Sequence, residues 1–175
     1  KDKEFKFYII NLPISGNKTD NVELYSDFFE YIFKRKKPVD IGIDKSAIIR
    51  TMNKVDDTNK LYWGYITSFT KVGTDWLNIE TMEKEELPIP KNMFANPKES
   101  YYFFIPKFHR IVIMKASGGI SLGNTEKYFI GLKKAIQKKY EFNVHPEVSK
   151  DAIAKILNAD VIKSLTIDFS YSNAD

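Results

Sequence analysis

The chain has 175 residues, a formal net charge of +4, 43% hydrophobic and 29% charged residues, and no cysteine. That length suits one compact domain able to bury about 70% of the surface its unfolded chain exposes, and 13 Phe, 10 Tyr and 2 Trp exclude wholesale disorder. The missing cysteines exclude a disulfide scaffold, a Cys-ligated zinc site and a thiol nucleophile, while no apolar run approaches the roughly 18 residues of a membrane span.

No secretory leader is visible, so the expected compartment is the cytoplasm. A first residue of Lys1 in place of Met implies that the natural start is missing. The run Phe5 to Leu12 is aromatic and β-branched and is followed by Pro13 and Gly16-Asn17, which predicts a strand. Val22, Tyr25, Phe28, Phe29, Ile32 and Phe33 recur at helical spacing, with Asp20 or Asn21 as the cap and Pro38 as the stop. Ser46 to Val55 reads as a strand, and Asp56-Asp57-Thr58-Asn59 as a turn. Leu61, Trp63, Tyr65, Thr67 and Phe69 alternate as a half-buried strand, and Trp76 to Glu80 makes a third after Gly73. Together these predict an antiparallel β-meander. Glu83 to Pro97, polar and carrying three prolines, reads as a loop or crossover, with neither side self-sufficient enough for two domains.

In the second half, Tyr101 to Ile105 and Phe108 to Lys115 predict a hairpin joined near Pro106-Lys107. A small-residue loop spans Ser117 to Asn124, and a helix from about Thr125 to Tyr140 turns Tyr128, Leu132, Ala135 and Ile136 inward. Phe142 to Val144 is a short strand ended by His145-Pro146. Ser149 caps a helix carrying Ile153, Ile156 and Leu157, and Leu165, Ile167, Phe169 and Tyr171 alternate in a last strand. The expected fold is a single α+β domain over 1–175, with a mixed or mostly antiparallel sheet, a central meander, a hairpin and about three helices.

Two features bear on chemistry. Ser117, Gly118, Gly119 and Ser121 precede a helix start, where converging backbone amides can hold a phosphate. The spacing matches neither nucleotide-binding glycine fingerprint, and the plainer reading is a strand-to-helix connection. Lys127, Lys134 and Lys138 share a stripe opposite the apolar face of the same helix, flanked by Lys133 and Lys139, while Lys34, Arg35, Lys36 and Lys37 form a second basic cluster. Such charges bind phosphate backbones, although they equally serve as solvated helix faces and dipole partners.

Catalytic constellations are thin. His109 and His145 are the only histidines, and neither has a partner at fixed spacing. Asp40, Asp44, Asp56, Asp57 and Asp75 fall in turns. The stretch Glu83-Lys84-Glu85-Glu86 faintly matches the acidic-lysine grouping of metal-dependent nucleases, but in a polar loop. Tyr101 to Phe104, with Tyr62, Trp63 and Tyr65, could stack bases, though core packing is the commoner use of such rings.

Several stretches carry a family resemblance: Phe7-Tyr8-x-x-Asn11, Trp63 to Thr70, Trp76 to Glu80, His109 to Val112, Ser117-Gly118-Gly119-x-Ser121 and Ile162-Lys163-x-Leu165-x-Ile167. On these the chain resembles a bacterial family of unknown function, whose members continue past this region and which lends no activity. A more distant likeness, in the order of elements, is to the phage exclusion protein RexA and the Kiwa defence protein KwaB. It implies DNA binding and phage defence, with no catalytic motif to carry over.

The resulting expectation is a non-enzymatic nucleic-acid-binding domain of an antiphage system. It has no catalytic residues, metal or cofactor, favours DNA over RNA, and avoids the membrane. Two alternatives stand beside it: a metal-dependent nuclease or phosphate-ester hydrolase, and a protein-interaction or oligomerisation module acting as a homodimer or with a partner protein.

Overall fold

The computed structural model describes residues 6–16, 21–55, 57, 60–115 and 118–158. In chain order these form β1 (Lys6–Asn11), α1 (Val22–Lys34), β2 (Val39–Gly42), β3 (Lys45–Ile49), β4 (Asn53–Lys54) and β5 (Tyr62–Thr70). They continue with β6 (Asp75–Asn78), β7 (Glu83–Glu86), β8 (Ala95–Ile105), a 3-10 turn (Pro106–Phe108), β9 (Arg110–Lys115), α2 (Leu122–Ile136), β10 (His145–Pro146) and α3 (Lys150–Leu157). The architecture is α+β. Seven strands pair antiparallel in the order β10-β1-β9-β8-β5-β3-β2, and β4 joins the same sheet through β5.

Strict alternation sorts the side chains of the central strands onto two faces. Ile10, Ile111, Ile113, Tyr102, Phe104, Tyr62 and Ile66 enter the main core beneath α1 and α2. Ile9, Val112, Ile105 and Leu61 point the other way, to a smaller cluster closed by Ile153 and Ile156 of α3. Phe29 of α1 stacks on Phe104 at 4.2 Å and meets Tyr102 edge-on at 5.5 Å, locking α1 to the sheet centre. At the sheet edge Gly131 admits β2 against α2, since a Cβ there would lie 2.3 Å from Val39 Cγ1.

Asn21 caps α1 by accepting the Leu24 amide at 3.0 Å, and Ser149 caps α3 in the same way at 3.3 Å. The β8–β9 hairpin turns through Pro106–Phe108 with His109 left-handed at φ 43°, so Phe108 belongs to the turn and not to the strand.

Several sequence expectations need correction. Ser46 to Val55 is not one strand: β3 and β4 both pair with β5 but are separated at Arg50–Met52, where Thr51 crosses over Gly64. Trp76 does not lie in a third meander strand, because β6 pairs with β7 in a separate two-stranded ribbon. The supposed loop 83–97 therefore contains β7 and the start of β8. Pro97 is accommodated where the β5–β8 register shifts and the ladder is interrupted. β2 had no sequence signal. α2 begins at Leu122 and ends at Ile136, earlier at both ends than expected; Ala135 is exposed, and Phe129 fills the core instead. In 142–144 only Phe142 bridges, to Ile14, and the ladder falls at His145–Pro146. Ser117, Asp20, Asp56, Thr58, Asn59 and the expected last strand at Leu165 to Tyr171 lie outside the described residues.

Candidate phosphate-binding surface

The loop before α2 is tied to the sheet by one buried bond: the Ile120 amide donates to Ser100 Oγ at 3.0 Å. Ser121 caps the helix, its hydroxyl accepting the Asn124 amide at 3.2 Å, while Thr125 Oγ1 donates to the Ser121 carbonyl at 2.8 Å. Ser121 therefore serves its own helix, and the amides nearest the cleft belong to Gly118 and Gly119. Gly118 is left-handed at φ 75°, and the aliphatic chain of Lys98 passes 3.6 Å from where its Cβ would stand. The result is a cleft of about 240 Å³ lined by Gly118, Gly119, Asn124, Lys45, Lys98 and Asn96. Both lysines are exposed and form no ion pair among the described residues.

From this cleft α2 carries Lys127 and Lys134, and the turn after it Lys138, all exposed. Lys133 donates to Asn143 Oδ1 at 2.9 Å, and an open depression lies among Lys133, Gln137, Lys138 and Glu141. At the far end Lys139 sits 4.2 Å above the ring of Tyr31, whose ring is 5.6 Å from that of Tyr140. Tyr31 belongs to the last turn of α1 and Lys139 follows the end of α2 by three residues, so the chain just past α2 meets the C-terminal end of α1. The basic run between α1 and β2 is thus bracketed by two contacts with the α2 segment, Tyr31 with Lys139 and Val39 with Gly131.

Within that run the residues differ. Lys34 pairs with Glu30 at 3.2 Å. Arg35 is half-buried with Nη1 enclosed and without a hydrogen-bond partner, close enough to Tyr128 for its charge to act on the phenol. Burial still dominates there and pushes the Tyr128 hydroxyl up. Lys36 and Lys37 are exposed.

The other candidates have structural roles. His109 Nδ1 lies 2.8 Å from Asn11 Oδ1, and Arg110 donates to Asn11 Oδ1 at 2.9 Å, to the Phe108 carbonyl at 2.6 Å and to Glu147 at 3.3 Å. This network joins β1, the 3-10 turn, β9 and the chain beyond β10. Of the aromatic strands, Tyr62, Tyr102 and Phe104 are core. Tyr65 and Tyr101 pair on the opposite face with hydroxyls 3.0 Å apart, and the Arg50 beside them is bonded to Glu99 at 2.5 Å. Among the described residues no three His, Asp or Glu converge as a metal-donor set. Glu83 to Glu86 form an exposed strand, and His145 is exposed at β10. No described helix is long and apolar enough to cross a membrane.

Lys45 and Lys98 are the site residues that sequence reasoning missed. They stand on two strands separated in the sheet by β5, far from the Gly loop in sequence, and no local pattern marks them.

These features define an α+β domain whose second helix runs from a lysine-flanked glycine cleft to a basic helix end. The chain belongs to the family described as a domain of unknown function (DUF4747), whose model matches residues 3–175. No curated protein matches it.

Proposed function

We propose that this domain binds nucleic acid through the phosphate backbone, along α2. The observation that carries the reading is that the basic run Lys34 to Lys37 is bracketed by two contacts with the α2 segment, Tyr31 with Lys139 and Val39 with Gly131, while Lys134 and Lys138 are exposed on that segment. At the other end, Lys45, Lys98 and the Gly118–Gly119 amides extend the positive surface. Fifteen helical residues at 1.5 Å each span about 22 Å. At about 3.4 Å per phosphate along one duplex strand, that length covers roughly six phosphates. Backbone contacts of this kind position a protein without reading sequence, so binding is weakly specific and strongly salt-dependent. DNA duplex is the first candidate ligand. The antiphage setting rests on the resemblance drawn from the sequence, in order of elements, to RexA and KwaB; of that order the hairpin, α2, β10 and α3 lie among the described residues and the final strand does not.

The test is fluorescence anisotropy of a short duplex titrated at several salt concentrations. Replacing Lys134→Glu and Lys138→Glu together should weaken binding and flatten the plot of log K against log salt by about 2, at about 0.9 per lost phosphate contact. The same variant should lose protection in a phage plaque assay. An unchanged slope would refute the assignment.

A further inference from the structure

The β6–β7 ribbon stands apart from the main sheet. β5 and β8 are direct neighbours, and the chain between them leaves the sheet, forms the ribbon and returns at Phe94, whose ring meets Phe69 at 4.6 Å. Both ribbon strands pair only with each other. A lone two-stranded ribbon is marginal in water unless one face is covered. Yet Trp76, Leu77, Ile79, Met82 and Leu87 are 45–80% exposed, a density of bare apolar side chains found nowhere else among the described residues. Charge accompanies them: Asp75, Glu80, Glu83, Glu85 and Glu86 stand against Lys84 alone, in a chain whose net charge is +4.

Strand alternation sorts the ribbon onto two faces, and on one of them Trp76 stands opposite Glu85, with Asn78 and Glu83 next along it. That apolar, acidic face calls for a basic partner with an apolar contact of its own, and α2 supplies it. Lys127, Ile130 and Lys134 lie within about 60° of arc at 3.6 residues per turn, with Ile130 44% exposed at the edge of that arc and Lys138 in the turn directly after the helix. The lengths agree as well. Four residues of ribbon extend about 14 Å, and Lys127 to the helix end at Ile136 spans about 14 Å.

We infer that the ribbon is a dimerisation arm that docks on the α2 stripe of a second copy of this chain. In a two-fold pair each copy gives one arm and receives one, so the contact is made twice. The acceptor lysines are those assigned above to phosphate, and nucleic acid therefore competes with the arm. Dimerisation itself is measured without nucleic acid, so failure of either reading leaves the other testable.

Sedimentation equilibrium at low salt and tens of micromolar chain should return the mass of two chains, falling to one as salt rises. Glu83→Lys with Glu85→Lys reverses the arm; Lys134→Glu with Lys138→Glu reverses the stripe. Each variant alone should sediment as one chain. Mixed in equal amounts they should recover a species of two chains, because both contacts are then complementary. Far-UV circular dichroism of each variant, matched to the parent, establishes that folding is intact. A parent that sediments as one chain under these conditions overturns the inference, and so does a mixture that stays at one chain. Trp76→Ser, on the same ribbon face as Glu83 and Glu85, supplies an uncharged check, expected to weaken the dimer at least tenfold; a dimer of unaltered strength would count against the arm.

Discussion

Gly64 offers the sharpest test of the sheet that carries the candidate surface. A methyl group there would stand 2.1 Å from the Thr51 carbonyl oxygen, 2.7 Å from its carbon and 2.9 Å from its Oγ1. Relief to ordinary contact needs a shift of more than an ångström, and Thr51 is held from several sides. Its carbonyl accepts the Tyr102 hydroxyl at 2.8 Å, and its Oγ1 accepts the Tyr65 amide at 2.9 Å. Overpacking costs about 1–3 kcal/mol, and each hydrogen bond given up adds about 1 kcal/mol. Gly64→Ala should therefore destabilise by about 3 kcal/mol. At about 2–4 °C per kcal/mol for a chain of this size, Tm should fall by about 6–12 °C. Gly73→Ala is the control, since nothing lies within 4 Å of its Cβ position, and its Tm should stay within about 2 °C of the parent. Differential scanning calorimetry of both measures the contrast. Equal melting of the Gly64 variant and the parent would refute the crossing of Thr51 over β5.

Two further outcomes follow from buried hydroxyls. Burial, reinforced by Glu30, raises the Tyr62 phenol to about 12. Its neutral form is favoured by folding, so that contribution is intact below pH 10 and is lost as pH climbs from 10 toward 12. Absorbance at the phenolate band should show Tyr62 titrating late, and Glu30→Gln should bring it earlier; a Tyr62 that titrates at the ordinary phenol value would contradict the burial. Ser100→Ala removes the acceptor of the buried Ile120 amide and should cost about 1–3 kcal/mol in urea unfolding. It should also weaken duplex binding, although the serine itself touches no phosphate. Undiminished affinity would detach the loop from the binding surface.

What could be read in advance divides along physical lines. α1 was legible because its apolar spacing, Asn21 cap and Pro38 stop all agree, and the β8–β9 hairpin because two apolar runs flank a proline turn. β7 was invisible: Glu83 to Glu86 face solvent on both sides, so no alternation marks them, and only pairing with β6 makes them a strand. β2 was hidden for a related reason, since Val39 to Gly42 has a single fully buried side chain, Ile41. The α2 lysine stripe followed from helical periodicity alone. Its neighbours Lys45 and Lys98 did not, because their approach to Gly118 depends on which strands lie side by side.

The placement of the ribbon also bears on how this fold can change. β5 and β8 are already antiparallel partners as far as Thr70 and Ala95. Apart from Lys71, whose amide donates to the Asp44 carbonyl and whose ammonium pairs with Asp40, the chain between those residues is not hydrogen-bonded into the main sheet's ladders, and a short turn could join the two strands directly. Replacing the loop by a short turn lowers its entropic cost by only about 1.5–2 kcal/mol, and doubling its length adds only about 0.6 kcal/mol. Residues 71–94 thus form a cassette, free to be trimmed, extended or exchanged while the sheet and its two helices keep their architecture.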